Sequence, residues 1–357
     1  MRSRALLLLT VLALLVAAGA VYRSATEQGP DGLANTAVAA SGDVPGDEPV
    51  ARVAAEVEPS VVQVNVSGVQ ETPYGAQKQE GVGSGVIYRK DGYIVTNNHV
   101  VEGASRVNVA FADGTTERAE VVGTDPTTDL AVIRVDRDGL PAASFDEGDV
   151  VVGQLAVAIG SPSGFQSTVT SGIVSGLGRE IPSELTGGRQ DNSLVDLLQT
   201  DAPISPGNSG GALADRDGEI IGINVAYLPP NQTGAENIGF AIPSYTVVSV
   251  ADQLIKTGEA QHPYLGVSVT DLTAQVSDRF GVSAESGALV AKVEPGGPAD
   301  SAGIQAGDVV TALGSADIRS SGDLLSALRQ YAPGDTVQIT VLRDGENHRL
   351  DIQLGER

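Results

Sequence analysis

Short runs of β-branched residues, separated by turn-forming residues, recur along most of the chain and constrain its fold more than any other feature. Each run is bounded by Gly, Pro or Asp, which is the pattern of strands and not of helices. The spacing of two successive sets of runs fits two antiparallel β-barrels. The predicted strands cover residues 60–69, 83–88, 93–101, 106–111, 119–122 and 130–135, then 150–159, 167–176, 219–225 and 238–242.

Three residues within these barrels have the types and the order of a serine-nucleophile mechanism. His99 ends one apolar run, Asp129 opens another, and Ser209 lies in the Gly-Asn-Ser-Gly-Gly segment at 207–211. His, Asp, Ser is the order found in chymotrypsin-like proteases. An imidazole takes the proton of the serine hydroxyl, and a buried carboxylate fixes its tautomer. We predict that His99 and Asp129 come from the first barrel and Ser209 from the second, with the site in the cleft between them.

The glycines around the serine predict an oxyanion hole. Only Gly readily adopts backbone angles that turn consecutive N–H groups into one small space. The predicted hole consists of Gly207 and Ser209 as donors, with Asn208 shaping the turn. Each such donor typically contributes about 3 kcal/mol of transition-state stabilisation.

Taken singly, each of these residues also fits a plainer interpretation. A Gly-Asn-Ser-Gly-Gly run is typical of a turn, and an Asp or His at a strand end needs no catalytic role. The scarcity of histidine favours the catalytic hypothesis, because the chain contains three. His262 precedes a proline in a predicted linker, and His348 lies in a polar stretch typical of a surface. His99 is therefore the expected base.

Composition excludes several other classes of function. The chain has 22 Lys plus Arg against 45 Asp plus Glu, and a net charge of −23 repels nucleic acid. It contains no cysteine, which excludes disulfides, thiolate metal sites and a cysteine nucleophile. Three scattered histidines show no metal-ligand spacing, so we expect neither a metal nor a cofactor.

The N-terminus predicts export from the cytoplasm. Arg2 and Arg4 precede an apolar run over 5–21, and this segment fits either a signal anchor or a cleaved signal peptide covering 1–22. Residues 23–50 are rich in Gly, Ala, acidic residues and Pro, and they predict a flexible acidic linker. The barrels then occupy 51–257, with a closing helix over 244–256.

A small α+β domain is predicted over residues 258–357. A helix with Ser321 as its N-cap carries Leu324, Leu325 and Leu328 at helical spacing, a stripe more typical of core than of a binding surface. A short helix is predicted at 299–302. The predicted strands lie near 264–267, 287–293, 307–310, 336–343 and 348–354.

In this order, the motifs resemble the HtrA/Deg family of serine proteases with one C-terminal PDZ domain, over roughly residues 59–354. The resemblance assigns His99, Asp129 and Ser209 as the triad. It implies an ATP-independent endopeptidase that cleaves unfolded or damaged envelope proteins. A signalling protease for one membrane-linked substrate and a chaperone or holdase with little cleavage are the alternatives.

The resemblance also implies a specificity pocket lined by Ile204, Leu228 and Ile238. Three apolar side chains suit a small aliphatic residue, such as Val or Ala, on the acyl side of the cut. A Lys or Arg would be buried there without a partner.

A further implication is a peptide site in the PDZ domain, where loop N–H groups bind a C-terminal carboxylate and the next strand pairs with the peptide. The leucine positions would face its groove. The implied residues are Tyr264, Leu265, Gly266, Val267, Leu324 and Leu328.

Arg179 matches the family's sensor-loop arginine, which links PDZ occupancy to the oxyanion hole; a solvated surface arginine is the alternative. A homotrimer is the family's usual assembly. The segment 69–81 is short where cage-forming members carry a long loop, so large cages are not expected. Ser205 stands where asparagine is commoner in the family.

Overall fold

The computed structural model of the protein describes residues 48–72, 75–146, 148–161, 167–181, 193–205, 207–228, 237–272, 277 and 286–356. The predicted leader, residues 1–22, and the predicted linker as far as residue 47 lie outside the described residues. Within the described ranges, no helix is both long enough and apolar enough to cross a lipid bilayer.

The first half of the described chain forms one closed antiparallel barrel. Its strands are β1 (Val61–Thr72), β2 (Gly75–Ile87), β3 (Tyr93–Asn97), β4 (Arg106–Ala110), β5 (Thr116–Asp125) and β6 (Leu130–Val135). The hydrogen-bonded order is β1-β2-β3-β6-β5-β4. Val64, Ile87, Ile94 and Ile133 fill the interior and are fully buried. The predicted strand set for this half is confirmed, with shifts at the boundaries.

A helix that the sequence did not predict, α1 (Pro49–Val57), precedes this barrel. Its proline lies in the first turn, where the missing N–H costs nothing. Val53 and Val57 lie one helical turn apart and are buried against strands of the second barrel. The helix thereby connects the N-terminal end of the described chain to the second barrel.

One predicted strand is wrong in its second half. The run 93–101 was predicted as a single strand, but β3 ends at Asn97, opposite Leu130 of β6. The next N–H, of Asn98, donates to the carbonyl oxygen of Asp129 at 3.0 Å instead of continuing the ladder. The chain then forms a single helical turn, α2 (Asn98–Val101), which carries His99.

The second barrel has the same architecture. Its strands are β7 (Leu155–Gly160), β8 (Thr168–Ile181), β9 (Leu194–Thr200), β10 (Ala212–Ala214), β11 (Ile220–Leu228) and β12 (Ile238–Pro243), in the order β10-β11-β12-β9-β8-β7. The sequence analysis missed β9 and β10. The first is rich in Leu and contains Asp196 at a φ of 61°, and the second has only three residues. Neither has the β-branched signature.

A long helix, α3 (Ser244–Thr257), packs on both barrels and confirms the prediction for 244–256. Val247, Val250 and Leu254 are its buried apolar face. Gly258 ends the helix at a φ of 82°, with its N–H donated to the carbonyl of Leu254. This left-handed cap is the usual role of a glycine after a helix.

The C-terminal unit is a small α+β fold, as predicted. Its strands are β13 (Pro263–Tyr264), β14 (Val267–Asp271), β15 (Ala288–Val293), β16 (Val309–Leu313), β17 (Ala316–Asp317), β18 (Thr336–Arg343), β19 (Glu346–Gln353) and β20 (Gly355–Glu356), and its helices are α4 (Pro298–Ala302) and α5 (Ser321–Leu328). The main sheet has the order β14-β15-β16-β18-β19. Among the described strands, β14 therefore has a free edge.

The predicted N-cap of α5 is displaced by one residue. Ser320, not Ser321, caps the helix, because its Oγ accepts the N–H of Asp323 at 3.0 Å. Ser321 is the first helical residue, and its N–H donates to the Asp271 carboxylate at the end of β14. The helix start is therefore tied to the edge strand of the sheet.

Candidate active site

The imidazole of His99 is held at two points by one carboxylate. Asp129 Oδ2 lies 2.7 Å from His99 Nδ1, and Asp129 Oδ1 accepts the backbone N–H of His99 at 2.9 Å. Asp129 is fully buried and the His99 side chain is 15 % exposed. With Nδ1–H donated to the carboxylate, Nε2 is free to accept a proton from the cleft. This pair has the geometry of a general base and its orienting acid.

The backbone around Asp129 explains why both of its oxygens reach His99. Asp129 has a φ of 61°, an uncommon conformation that ends the loop between β5 and β6. Its carbonyl oxygen accepts two donors, the side-chain amide of Asn97 and the N–H of Asn98, each at 3.0 Å. These bonds hold the unusual backbone angle and fix the carboxylate under α2.

Ser209 borders the same cavity as His99. This cavity has a volume of about 370 Å³ and is also lined by Gly207 and Val100. The Ser209 hydroxyl donates to the carbonyl of Val225 on β11 at 3.3 Å. Among the described contacts it makes no hydrogen bond to His99. In this conformation, rotation of the serine side chain away from β11 is needed before Nε2 can take its proton.

The backbone on both sides of Ser209 is in the left-handed region at a glycine. Gly207 has a φ of 100° and Gly210 a φ of 82°. A Cβ at Gly210 would lie 2.2 Å from the carbonyl oxygen of Ser84, so only glycine fits there. Within the described residues, the N–H groups of Gly207 and Ser209 donate to no acceptor. Asn208 is 1 % exposed and packs against Gly160.

Two of the three predicted pocket residues lie next to each other. Leu228 pairs with Ile238 across β11 and β12, and the Leu228 side chain lies outside the described part. Ile204 is 6 % exposed, and its Cδ1 would lie 2.8 Å from a Cβ at Gly239. The backbone therefore brings the three positions into one region of the second barrel.

The predicted carboxylate loop lies at the free edge of the C-terminal sheet. Gly266 has a φ of 77°, Leu265 is buried, and Val267 begins β14. The carbonyl oxygens of Leu265 and Gly266 are held by the N–H groups of Ala299 and Glu294, at 2.9 and 2.8 Å. The Tyr264 hydroxyl donates to the Glu294 carboxylate.

The two predicted groove leucines are part of the core. Leu324 is 1 % exposed and Leu328 is 7 % exposed, and both pack in the apolar cluster of the C-terminal unit. Burial on the inner face of α5 explains their helical spacing.

Arg179 is an exposed residue of β8, paired in register with Leu197 of β9. Its guanidinium lies beside Gly176, where a Cβ would be 2.6 Å from Arg179 Nε. A Cβ at Gly178 would lie 3.8 Å from Ser326 Oγ of α5. The strand that carries Arg179 therefore contacts the helix beside the proposed groove.

A polar cluster around the buried Asp196 at this contact was missed by the sequence analysis. Tyr245 donates to the Asp196 carboxylate, and Arg329, just after α5, donates to the carbonyl of Val195 at 2.8 Å. Burial raises the pKa of Asp196 and lowers the pKa of Arg329, partly offset by their mutual attraction. Burial and the Asp196 charge raise the pKa of Tyr245. No sequence pattern links residues so far apart.

His262 also has a partner that the sequence did not indicate. Its Nε2 lies 2.9 Å from Asp125 Oδ2, four residues before Asp129. Burial acts to raise the pKa of Asp125, but hydrogen bonds from His262, Thr128 and Thr127 and the His262 charge outweigh it and lower that pKa. The link between the barrels and the C-terminal unit is thereby tied to the loop that positions Asp129.

Comparison with known proteins agrees with this geometry. Residues 83–223 match the trypsin-like peptidase domain and residues 263–354 match the PDZ domain. Fold and site together define a trypsin-like peptidase that carries a PDZ domain.

The solved structure of the HtrA-type protease AlgW with a decapeptide is 34 % identical, with a TM-score of 0.67, covering 86 % of this chain and 98 % of that one. The chain belongs to the HtrA-type family of serine proteases. The serine endoprotease from Yersinia pestis is 31 % identical, with a TM-score of 0.59, covering 88 % of this chain and 100 % of that one.

Curated relatives of similar sequence are longer. A probable periplasmic serine endoprotease, DegP-like, from Halomonas elongata is 41 % identical over 289 residues, which is 80 % of this chain and 59 % of the relative. One of the same description from Marinomonas sp. is 38 % identical over 289 residues, 81 % of this chain and 60 % of the relative. The chain thus spans less than two thirds of these relatives.

Proposed function

We propose that this protein is an ATP-independent serine endopeptidase that cleaves unfolded or damaged proteins outside the cytoplasm. The observation that carries the proposal is the two-point hydrogen bonding of His99 by Asp129 beside the cavity that also contains Ser209. A buried carboxylate is costly unless it is hydrogen-bonded. Here both oxygens of the carboxylate bind one histidine, and the two bonds fix the orientation of its ring.

The proposed mechanism uses only side chains and backbone of this chain. Ser209 Oγ rotates from Val225 to His99, gives up its proton to Nε2 and attacks the substrate carbonyl carbon. The N–H groups of Gly207 and Ser209 bind the resulting oxyanion. Protonated His99, stabilised by ionised Asp129, then gives the proton to the leaving amine, and water reverses the sequence to release the acyl group.

The proposed specificity is for small aliphatic residues on the acyl side of the cut. The proposal is supported by the apolar character and adjacent placement of Ile204, Leu228 and Ile238. Such a pocket discriminates by size and disfavours unpaired charge.

The proposed regulator is a peptide that binds the PDZ domain through its C-terminal carboxylate. Support comes from the free edge of β14 and from the N–H groups of Leu265 and Gly266, which donate to no acceptor within the described chain. The solved AlgW structure contains a decapeptide. The contact of β8 near Arg179 with α5 supports a route from the PDZ groove to the protease barrel.

Location and assembly are further parts of the proposal. The curated relatives are named periplasmic, which supports a place in the bacterial cell envelope, with residues 1–22 as anchor or cleaved signal. We propose a homotrimer, which sedimentation velocity of residues 46–357 would test against monomer and larger cages.

The experiment is cleavage of unfolded casein by the wild-type protein, Ser209→Ala and Ser301→Ala. Ser301 is an exposed serine of the PDZ domain and is the matched control. Ser209→Ala should lose activity by about 10⁴-fold or more, with Ser301→Ala unchanged. Equal activity of Ser209→Ala and wild type, or no cleavage by either, would remove the proposal. Protection of casein from aggregation without cleavage would indicate a holdase, and cleavage of one native target alone would indicate a signalling protease.

A further inference from the structure

Ser84 on β2 joins the first barrel to the loop that carries the proposed oxyanion hole. Its side chain is fully buried. Its N–H donates to the carbonyl of Ser209 at 2.8 Å, and its Oγ donates to the carbonyl of Gly207 at 2.6 Å. The same Oγ accepts the N–H of Ser161, just after β7, at 2.8 Å. One residue of the first barrel therefore binds three backbone groups of the second.

The bond from Ser84 to the Gly207 carbonyl helps to fix the peptide that joins Gly207 to Asn208. The peptide between Gly207 and Asn208 is held at its carbonyl by Ser84 and at its N–H by the carbonyl of Ser205, at 3.0 Å. Glycine has no Cβ to limit its backbone angles, so rotation at Gly207 would otherwise be easy. That rotation would swing the preceding N–H, one of the two proposed oxyanion donors, away from the cleft.

Ser84 is itself fixed from the strand that leads to His99. Its carbonyl oxygen accepts the hydroxyl of Thr96 at 2.6 Å, three residues before the histidine. The carbonyl also lies against Gly210, where no side chain fits. Ser84 is thus hydrogen-bonded to groups of both barrels, and these bonds fix its position without a bound substrate.

We propose that Ser84 is a positioning residue for transition-state stabilisation, whose hydroxyl holds the Gly207 peptide so that the oxyanion donors point into the cleft. This inference rests on the proposed role of Ser209 as nucleophile. It concerns an interaction that matters more in the tetrahedral intermediate than in the bound substrate. Loss of the hydroxyl should therefore lower kcat far more than it raises KM.

The test compares Ser84→Ala with Ser60→Ala. Ser60 is a matched control, because it is also buried and its Oγ donates to a backbone carbonyl, of Val57, at 2.7 Å, away from the cleft. Ser84→Ala loses two hydrogen bonds of a buried hydroxyl and Ser60→Ala loses one, so both should unfold at lower temperature. Ser84→Ala should lower kcat on a peptide with valine before the cut by about 10- to 100-fold, with KM within about 3-fold. Ser60→Ala should keep kcat within about 2-fold.

The affinity for a peptide boronic acid ending in boro-valine separates a positioning role of Ser84 from a merely structural one. Its tetrahedral adduct with Ser209 places an oxygen in the oxyanion hole, so its affinity for Ser84→Ala should fall by the same factor as kcat. Ser84→Cys keeps the shape of the side chain with a weaker hydrogen-bonding group. Its kcat and its boronate affinity should lie between those of wild type and of Ser84→Ala. If Ser84→Ala does not fold, the kcat and the boronate affinity of Ser84→Cys are compared with those of wild type instead.

Two outcomes would overturn the inference: kcat of Ser84→Ala within 2-fold of wild type, or a loss of kcat with unchanged boronate affinity. Retained activity in Ser209→Ala would instead refute the proposed function itself, so the two failures are distinguishable.

Discussion

Arg329, just after α5, donates a hydrogen bond to the carbonyl of Val195 in β9 of the second barrel at 2.8 Å. Residues 46–357 form one compact unit, and this bond is part of the contact between its barrels and its PDZ domain. The carboxylate of the next residue, Asp196, attracts the Arg329 charge and is 5 % exposed. A buried carboxylate is costly unless hydrogen bonds and a nearby positive charge offset its lost solvation.

We expect Arg329→Met to destabilise the protein by about 1 to 3 kcal/mol, because it removes the hydrogen bond to the Val195 carbonyl and the positive charge that offsets part of the cost of burying Asp196. The free energy of unfolding from denaturant titration measures the effect. Arg319→Met, at an exposed position of the same domain, should change stability by less than about 0.5 kcal/mol. Adding Asp196→Asn to Arg329→Met should recover part of the loss. Equal effects of the two arginine variants would contradict the prediction.

The contact of Asp125 with His262 predicts a pH dependence of stability. The folded-state pKa of Asp125 lies below its ordinary value of 3.8, so its stabilising contribution is present above that value and is lost as the pH falls through the folded pKa. The unfolding free energies of wild type and Asp125→Asn should therefore differ most near neutral pH and converge below pH 3.8. A gap that stays constant into acid would show that the shift is absent. Asp138→Asn, at an exposed position after β6, reports the background acid dependence.

Arg179 is predicted to transmit peptide binding to the active site. Arg179→Ala should weaken stimulation of casein cleavage by peptides that bind the PDZ domain, while leaving the unstimulated rate and the Ser209 environment intact. The ratio of stimulated to unstimulated rates is the measurement. Arg118 is an exposed arginine of the first barrel, and Arg118→Ala should show the same ratio of rates as wild type. Unchanged stimulation in Arg179→Ala would assign the residue to the solvated surface.

Ile204 is predicted to set the size of the specificity pocket. Ile204→Val removes one methylene, so cleavage after leucine should rise relative to cleavage after valine by about 10-fold. The ratio of the two kcat/KM values is independent of the fraction of active enzyme. Ile255→Val, on α3, is the control for a general loss of packing. Mass spectrometry of casein fragments gives the same preference without chosen substrates, and an unaltered ratio would remove Ile204 from the pocket.

Local patterns of sequence predicted most of the fold. Strands such as β6 and β18 match their predicted bounds because Val and Ile alternate or cluster there between turn residues. The failures have physical reasons. The helical turn at Asn98 depends on a hydrogen bond to Asp129, 31 residues away. Strand β9 is built from leucines, and its strand geometry is imposed by its neighbours in the barrel.

The candidate site was predictable where chemistry restricts the residue type, as at His99 and Ser209. The site was not predictable where it depends on contacts between residues that are distant in the sequence. Closure of the barrels brings the Ser209 hydroxyl to Val225 and Ser84 to Gly207, and docking of the PDZ domain brings Arg329 to Val195. Serine and arginine are common surface residues, so composition carries no signal for these roles.

The most direct measurement of the proposed mechanism is labelling of the protein with a fluorophosphonate, followed by mass spectrometry of the labelled peptide. The reagent requires an activated serine and an oxyanion hole together. We expect one label, on Ser209, with a labelling rate reduced by about 10⁴-fold in Asp129→Asn, in which the His99 ring loses its orienting carboxylate. A label on any other serine, or equal labelling of Asp129→Asn and wild type, would contradict the assignment of these three residues.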